Sequence, residues 1–169
     1  MRLAMTHDKT TEGDGHQLHL FERLPRYRTA LICEKQHPYP ARMQVRTPED
    51  VAIVLKEYFN GRDREEFVVL SLNTANILTA FTVASVGGLA ASIVEPRTVF
   101  RFAFETNAAA LILAHNHPSN NPEPSREDIR ITRQLIETGK IVGIPIHDHL
   151  IITDHTFVSL AERGLMQPG

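Results

Sequence analysis

The sequence predicts a mixed α/β domain, α/β or α+β in class, with a mixed central sheet flanked by helices. Three observations predict it. Segments of helical period alternate with alternating or short continuous apolar runs from Thr47 to Leu160. The strands do not form a clean series of βαβ units, so the sheet is not expected to be purely parallel. A chain of 169 residues suits one domain, able to bury roughly two-thirds of the surface its unfolded form exposes.

Residues 1–17 are polar and aperiodic and read as a flexible leader. Residues 18–46 read as an N-terminal extension with a short strand around Ala30–Cys33, followed by a link that Pro38 and Pro40 keep irregular. Residues 47–169 read as the main domain. Thr47-Pro-Glu-Asp starts a helix: Thr47 caps it, Pro48 suits the first turn, and Glu49 and Asp50 favour its positive end. Val51, Val54, Leu55 and Tyr58 form its apolar stripe, and Asn60-Gly61 closes it.

Glu66–Leu72 and Ile77–Ser85 read as an antiparallel hairpin, the second strand placing Thr79, Phe81 and Val83 on one face. Gly87-Gly88 permits a tight passage. Pro96 to about Asn107 reads as a helix with Val99, Phe102 and Ala103 inward. Ala108–Ala114 is short and apolar enough for a buried central strand. A polar loop with three prolines follows, and Ser125 opens a helix ending near Gly139. Pro145–Ile152 and Phe157–Leu160 close the domain as strands.

Composition excludes several classes. Eighteen Lys and Arg against twenty Asp and Glu leave a net charge of −2, which gives no support to electrostatic nucleic-acid binding. Cys33 is the sole cysteine, so neither an internal disulfide nor a Cys-only zinc site can form. No apolar run reaches the ~18 residues of a membrane span. A cytoplasmic protein with no membrane partner is the expectation. No GxGxxG or GxxxxGK[ST] supports nucleotide binding.

The chemistry concentrates in His115-Asn-His117-Pro-Ser-Asn-Asn-Pro-Glu-Pro-Ser125-Arg-Glu-Asp128. On an extended chain, period 2 puts His115 and His117 on one side. Asp128 lies in the first turn of the following helix, which the prolines can direct back towards them. Two imidazoles and a carboxylate offer a divalent ion three ligands, and Zn²⁺ accepts such a mixed set with a fourth position left for water. Ser125 and Asp128 also read as a helix cap with an acidic third residue, but a cap alone leaves the paired histidines unexplained. A hydrolase further needs a base, for which Glu65, Glu66, Glu95, Glu123 and Glu127 are all available. His147-Asp148-His149 is a second polar cluster, read as supporting rather than ligating. Cys33 has no adjacent histidine and reads as a small buried residue.

The spacing His-x-His-x7-Ser-x2-Asp resembles the signature of the JAB/MPN (JAMM) metalloprotease superfamily. REEFVVLSLNT, VASVGGLAASIVEPRTVFRFAFETNAAALILAHNHPS and GIPIHDHLIITDHTFVSLAERGL are similar to its RadC-like branch, over about 119 of 169 residues. The resemblance implies a cytidine-deaminase-like sandwich and hydrolysis of a peptide or isopeptide bond. It implies one Zn²⁺ held by His115, His117 and Asp128, with Glu65 as base (Glu66 the fallback) and Ser125 as donor to the oxyanion. It further suggests that Asn116 and Ser119 orient the loop, and that Asp148 and His149 support the ligands, Asp148 by accepting a proton from a histidine. The family's usual glycine after His-Pro-Ser is Asn120 here, which tolerates left-handed geometry. Residues 1–46 contain no glycine-centred hairpin like the helix-hairpin-helix module of longer RadC-like proteins. Two competing readings are a RadC-like factor associated with DNA repair and a non-catalytic protein-binding JAB domain. A homo-oligomer through an exposed strand is a further expectation.

Overall fold

The computed structural model describes residues 43–87 and 94–167. The leader, the strand around Ala30–Cys33 and the second glycine of Gly87-Gly88 lie outside the described residues. The elements are α1 (Pro48–Phe59), β1 (Glu66–Leu72), β2 (Leu78–Val86), α2 (Pro96–Glu105), β3 (Ala110–Asn116), α3 (Arg126–Val142), β4 (Ile146–Ile152) and β5 (Phe157–Ser159). The five strands form one sheet in the order β2-β1-β3-β4-β5. Only β3 and β4 run parallel; the other pairs are antiparallel, so the sheet is mixed.

Strand alternation separates two cores. Ala110, Ile112 and Ala114 of β3 join Val68, Leu70 and Leu72 of β1 and pack against Val51, Leu55 and Phe59 of α1. Leu111 and Leu113 face the opposite way and pack with Val99 and Phe100 of α2 and Ile131 and Leu135 of α3. The sheet is therefore a layer between α1 and the α2–α3 pair. Burying β3 on both faces demands its continuous apolar run. No helix among the described residues is long and apolar enough to cross a membrane.

Four differences from the sequence expectations have physical causes. Strand β3 starts later and continues through His115 and Asn116, because β1 and β4 flank it and both pair with His115. Within β2, strict alternation fails: the ladder to β1 shifts register between Phe67 and Val68 and between Ser71 and Leu72. Leu78 and Phe81 consequently pack on the same core. In α2, Phe100 is buried with Val99 and Ala103, while Phe102 is only partly covered. Helix α3 runs past Gly139 to Val142 and ends on Gly143 at φ 75°.

Candidate metal centre

The site forms where β3 meets the start of α3. His115 continues the parity of Leu111 and Leu113, so it emerges on the face that α2 and α3 cover. The ladder extends one residue further, with the His117 N–H donating to the Ile152 carbonyl at 2.8 Å. The chain then turns: Asn120 N–H donates back to the His117 carbonyl at 2.9 Å, and Asn120 adopts φ 60°. The Asn120 side chain donates to Asp154 Oδ2 and accepts from the Asp154 N–H, both at 3.0 Å. A glycine could take the same backbone but could not make this tie. Arg163 forks onto Glu123 at 2.7 and 3.0 Å, holding the far end of the loop.

Ser125 caps α3, accepting the Asp128 N–H at 3.1 Å, while Asp128 Oδ2 accepts the Ser125 N–H at 2.6 Å. This reciprocal cap leaves Asp128 buried at 1% exposure and orients its carboxylate. Asp128 Oδ1 lies 3.2 Å from His115 Nε2, and Oδ2 lies 3.8 Å from His117 Nε2. The two Nε2 atoms are 2.9 Å apart. One candidate ligand atom from each of the three residues falls within 4.8 Å of the others. Burial alone pushes the Asp128 carboxyl up, but the bond and charge of His115 in its protonated form, with the bonds from Ser125, hold it well below the usual carboxylate range.

Proton accounting shows what converges. His117 Nδ1 sits 2.7 Å from the Asn121 carbonyl oxygen, which can only accept, so Nδ1 carries the proton. The Nε2 lone pair of His117 therefore faces His115 and Asp128. This donor set of two imidazole nitrogens and a carboxylate oxygen fits Zn²⁺. Bonds of ~2.0–2.1 Å make a tetrahedral edge of about 3.3 Å. The 2.9 Å between the two nitrogens and the 3.2 Å from His115 Nε2 to Asp128 Oδ1 lie close to that edge, while the 3.8 Å to His117 Nε2 is measured from the other carboxylate oxygen, Oδ2.

Phe67 of β1 stacks on the His115 ring at 6.2 Å between centroids and meets the His149 ring edge-on at 5.3 Å. His149, fully buried on β4, places Nε2 2.8 Å from His115 Nδ1. Its other nitrogen lies 2.5 Å from Thr132 Oγ1. Burial, with the charge of His115 adding to it when that ring is protonated, pushes the His149 imidazole well below its ordinary pKa, so the ring is neutral at pH 7. Asp148 works elsewhere. Its carboxylate accepts from the His149 backbone N–H at 2.7 Å, Ser159 Oγ at 2.6 Å and Ala161 N–H at 3.0 Å, tying β4 to β5 and the turn after it. Those partners are backbone and hydroxyl groups, not the imidazole that the sequence reading expected. His147 is exposed.

The candidate bases occupy different surroundings. Glu66 is buried on the α1 side, where its carboxylate accepts from Tyr58 Oη at 2.9 Å and pairs with Arg62 at 3.0 Å. Glu95 pairs with Arg97, Glu123 with Arg163, and Glu127 with Arg130. Glu65 is half-buried just ahead of β1, and its carbonyl accepts the Gly87 N–H at 2.8 Å. Asn116, between the two histidines in sequence, accepts the Glu66 N–H at 2.7 Å and donates to the Arg64 carbonyl at 2.9 Å. It thus brackets Glu65 by the backbone on either side. Ser119 is exposed, and its hydroxyl accepts weakly from Asn121 N–H at 3.4 Å. A cleft of about 290 Å³ opens beside His117, lined in part by Lys56, Arg62, Asn116 and Asp154.

Thr132 is the member that sequence reasoning missed. A signal was present, since it stands four residues after Asp128 and therefore on the same helical face. Nothing local, however, announces the histidine that it meets from β4.

Comparison with known proteins agrees with the geometry. A family model described as a RadC-like JAB domain matches residues 45–165. A UPF0758 protein of Salinibacter ruber is 55% identical over 133 residues, covering 79% of this chain and 57% of the relative. UPF0758 proteins of Desulforamulus reducens and Bacillus cereus are 47% and 48% identical over 129 and 126 residues, covering 76% and 75% of this chain. The chain thus spans a little over half the length of these curated relatives, 57% and 56% for the last two. On the extent of the family match and on these identities, this chain belongs to the RadC-like JAB domain family.

Proposed function

We propose that this chain is a zinc-dependent hydrolase that cleaves a peptide or isopeptide bond. The observation that carries the reading is the convergence of one ligand atom each from His115, His117 and Asp128 within 4.8 Å. Zinc bound there supplies a Lewis acid and a water of lowered pKa. His115, His117 and Asp128 would hold the ion.

Glu65 is the proposed base. Its neighbours support this: Phe67 lies against His115, and Glu66 turns to Tyr58 and Arg62 on the opposite face. Alternation returns Glu65 to the face of Phe67. From there its carboxylate takes a proton from the attacking water and returns it to the leaving amine. The Ser125 hydroxyl accepts from Asp128 N–H through its oxygen, so its own proton remains to stabilise the developing oxyanion. The cleft beside His117 opens onto one of the three candidate ligands.

The test pairs elemental analysis with a peptide-cleavage assay. His117→Ala is expected to lose bound zinc. Glu65→Gln is expected to keep zinc and to lose about 10²–10⁴-fold in turnover. Full activity in a Glu65→Gln protein shown to be metal-free would reject the mechanism.

A further inference from the structure

The hydrogen bonds behind the candidate ligands form one continuous circuit from Asp128 to His115. Thr132 Oγ1 lies 2.6 Å from the Asp128 backbone carbonyl oxygen. Two oxygens so close need a proton between them, and a carbonyl has none to give. The single Thr132 hydroxyl proton is therefore committed to Asp128. The 2.5 Å contact from Thr132 Oγ1 to His149 Nδ1 then requires the proton on Nδ1. A neutral His149 protonated on Nδ1 has a bare Nε2, which must accept across the 2.8 Å contact from His115 Nδ1–H. His115 thus carries its proton on Nδ1.

We propose that Thr132 and His149 are positioning residues for the zinc centre, holding His115 in the one neutral tautomer whose Nε2 lone pair faces His117 and Asp128. This rests on the zinc reading above. The direction follows from either end of the chain. A zinc-ligating His115 Nε2 needs a proton on Nδ1, and that proton needs the acceptor that only this tautomer of His149 provides.

The circuit begins at the backbone of one candidate ligand and ends at the ring of another. It crosses from α3 through β4 to β3. Thr132 and His149 are both 0% exposed, so water does not compete for these bonds. Without the Thr132 hydroxyl, His149 Nδ1–H has no acceptor. The ring then gains by moving its proton to Nε2. That proton would point at His115 Nδ1, force the His115 proton onto Nε2 and block the lone pair.

The experiment uses the full chain as metal-free protein at mildly alkaline pH, where imidazoles are neutral. Nitrogen-15 NMR of the histidine rings reads each tautomer. Zinc alone, titrated in competition with a chromophoric chelator, reads affinity. His149 is expected as Nδ1–H in the unmodified chain, a ring state less favoured by histidine in water. Thr132→Val is expected to switch His149 to Nε2–H and weaken zinc binding about 10–100-fold. Thr132→Ser is expected to restore both.

His149 found as Nε2–H in the unmodified chain would overturn the proposal, as would a Thr132→Val protein with unchanged zinc affinity. If Thr132→Val does not fold, the ring tautomer in the unmodified chain and the affinity of Thr132→Ser decide the matter. An unmodified chain that binds no zinc overturns the zinc reading itself. The tautomer, measured without metal, separates that failure from failure of the circuit.

Discussion

Asn116 stands between two candidate ligands in the chain yet spends its amide on the neighbouring strand. Its oxygen takes the Glu66 N–H and its nitrogen gives to the Arg64 carbonyl, at 2.7 and 2.9 Å. The residue they bracket is the proposed base. Removing the amide leaves a buried N–H without an acceptor, which costs about 1–3 kcal/mol. Asn116→Ala is therefore expected to lose that much stability in denaturant unfolding. It should also speed hydrogen exchange at the Glu66 amide and leave zinc stoichiometry unchanged. An unaltered Glu66 exchange rate would show that the bracket does not hold β1 in place.

At the scale of elements, the two long helices depend on different devices. Helix α1 rests on Asp50, whose carboxylate accepts the N–H groups of Arg46 at 2.8 Å and Thr47 at 3.0 Å. Those bonds lower its pKa below the ordinary value of 3.8. A depressed folded-state pKa contributes stability above the unfolded value, and the contribution is lost as pH falls through the folded one. Denaturant unfolding below about pH 4 is expected to show a steeper loss for the unmodified chain than for Asp50→Asn, which cannot titrate.

Helix α3 depends instead on the absence of a side chain. A Cβ on Gly139 would meet the Ile144 carbonyl oxygen at 2.6 Å. Alanine gains about 1 kcal/mol of helix propensity over glycine. Overpacking against rigid backbone costs about 1–3 kcal/mol, so the clash dominates. Gly139→Ala is expected to lower the midpoint of thermal unfolding, and a raised midpoint would refute the close approach.

For the molecule as a whole, the candidate ligands come from both sides of a core. His115 belongs to the central strand and His117 follows its last residue, whereas Asp128 belongs to a helix packed on the sheet through Ile131 and Leu135. An ion bridging them would bind the folded chain only. At a free zinc concentration about 100 times the dissociation constant, this adds about 2.7 kcal/mol. For a chain of this size that is a rise of about 5–11 °C in the unfolding midpoint. Calorimetry with and without chelator is expected to show it, and His117→Ala should abolish it.

Sequence legibility followed the range of the interaction. The bounds of β1, Glu66–Leu72, were readable because turn residues punctuate an apolar run. The candidate trio was readable because a strand, a short proline-rich loop and a capped helix start lie within fourteen consecutive residues. The end of α3 was misplaced at Gly139, because glycine there serves a contact with Ile144 rather than a cap. The partners of Asp148 were misassigned because Ser159 and Ala161 reach it only after β5 folds back.

By itself, then, the sequence determined the element types, the two-faced central strand and the spacing that gathers two imidazoles and a carboxylate. These follow from backbone periods and helix capping, which act over a few residues. Tertiary structure alone decided that His149 stands behind His115, that Thr132 stands behind His149, and that Glu66 turns to Tyr58 and Arg62. Each of those contacts joins separate elements, and only the packing of helices on the sheet brings their donors and acceptors within bonding distance.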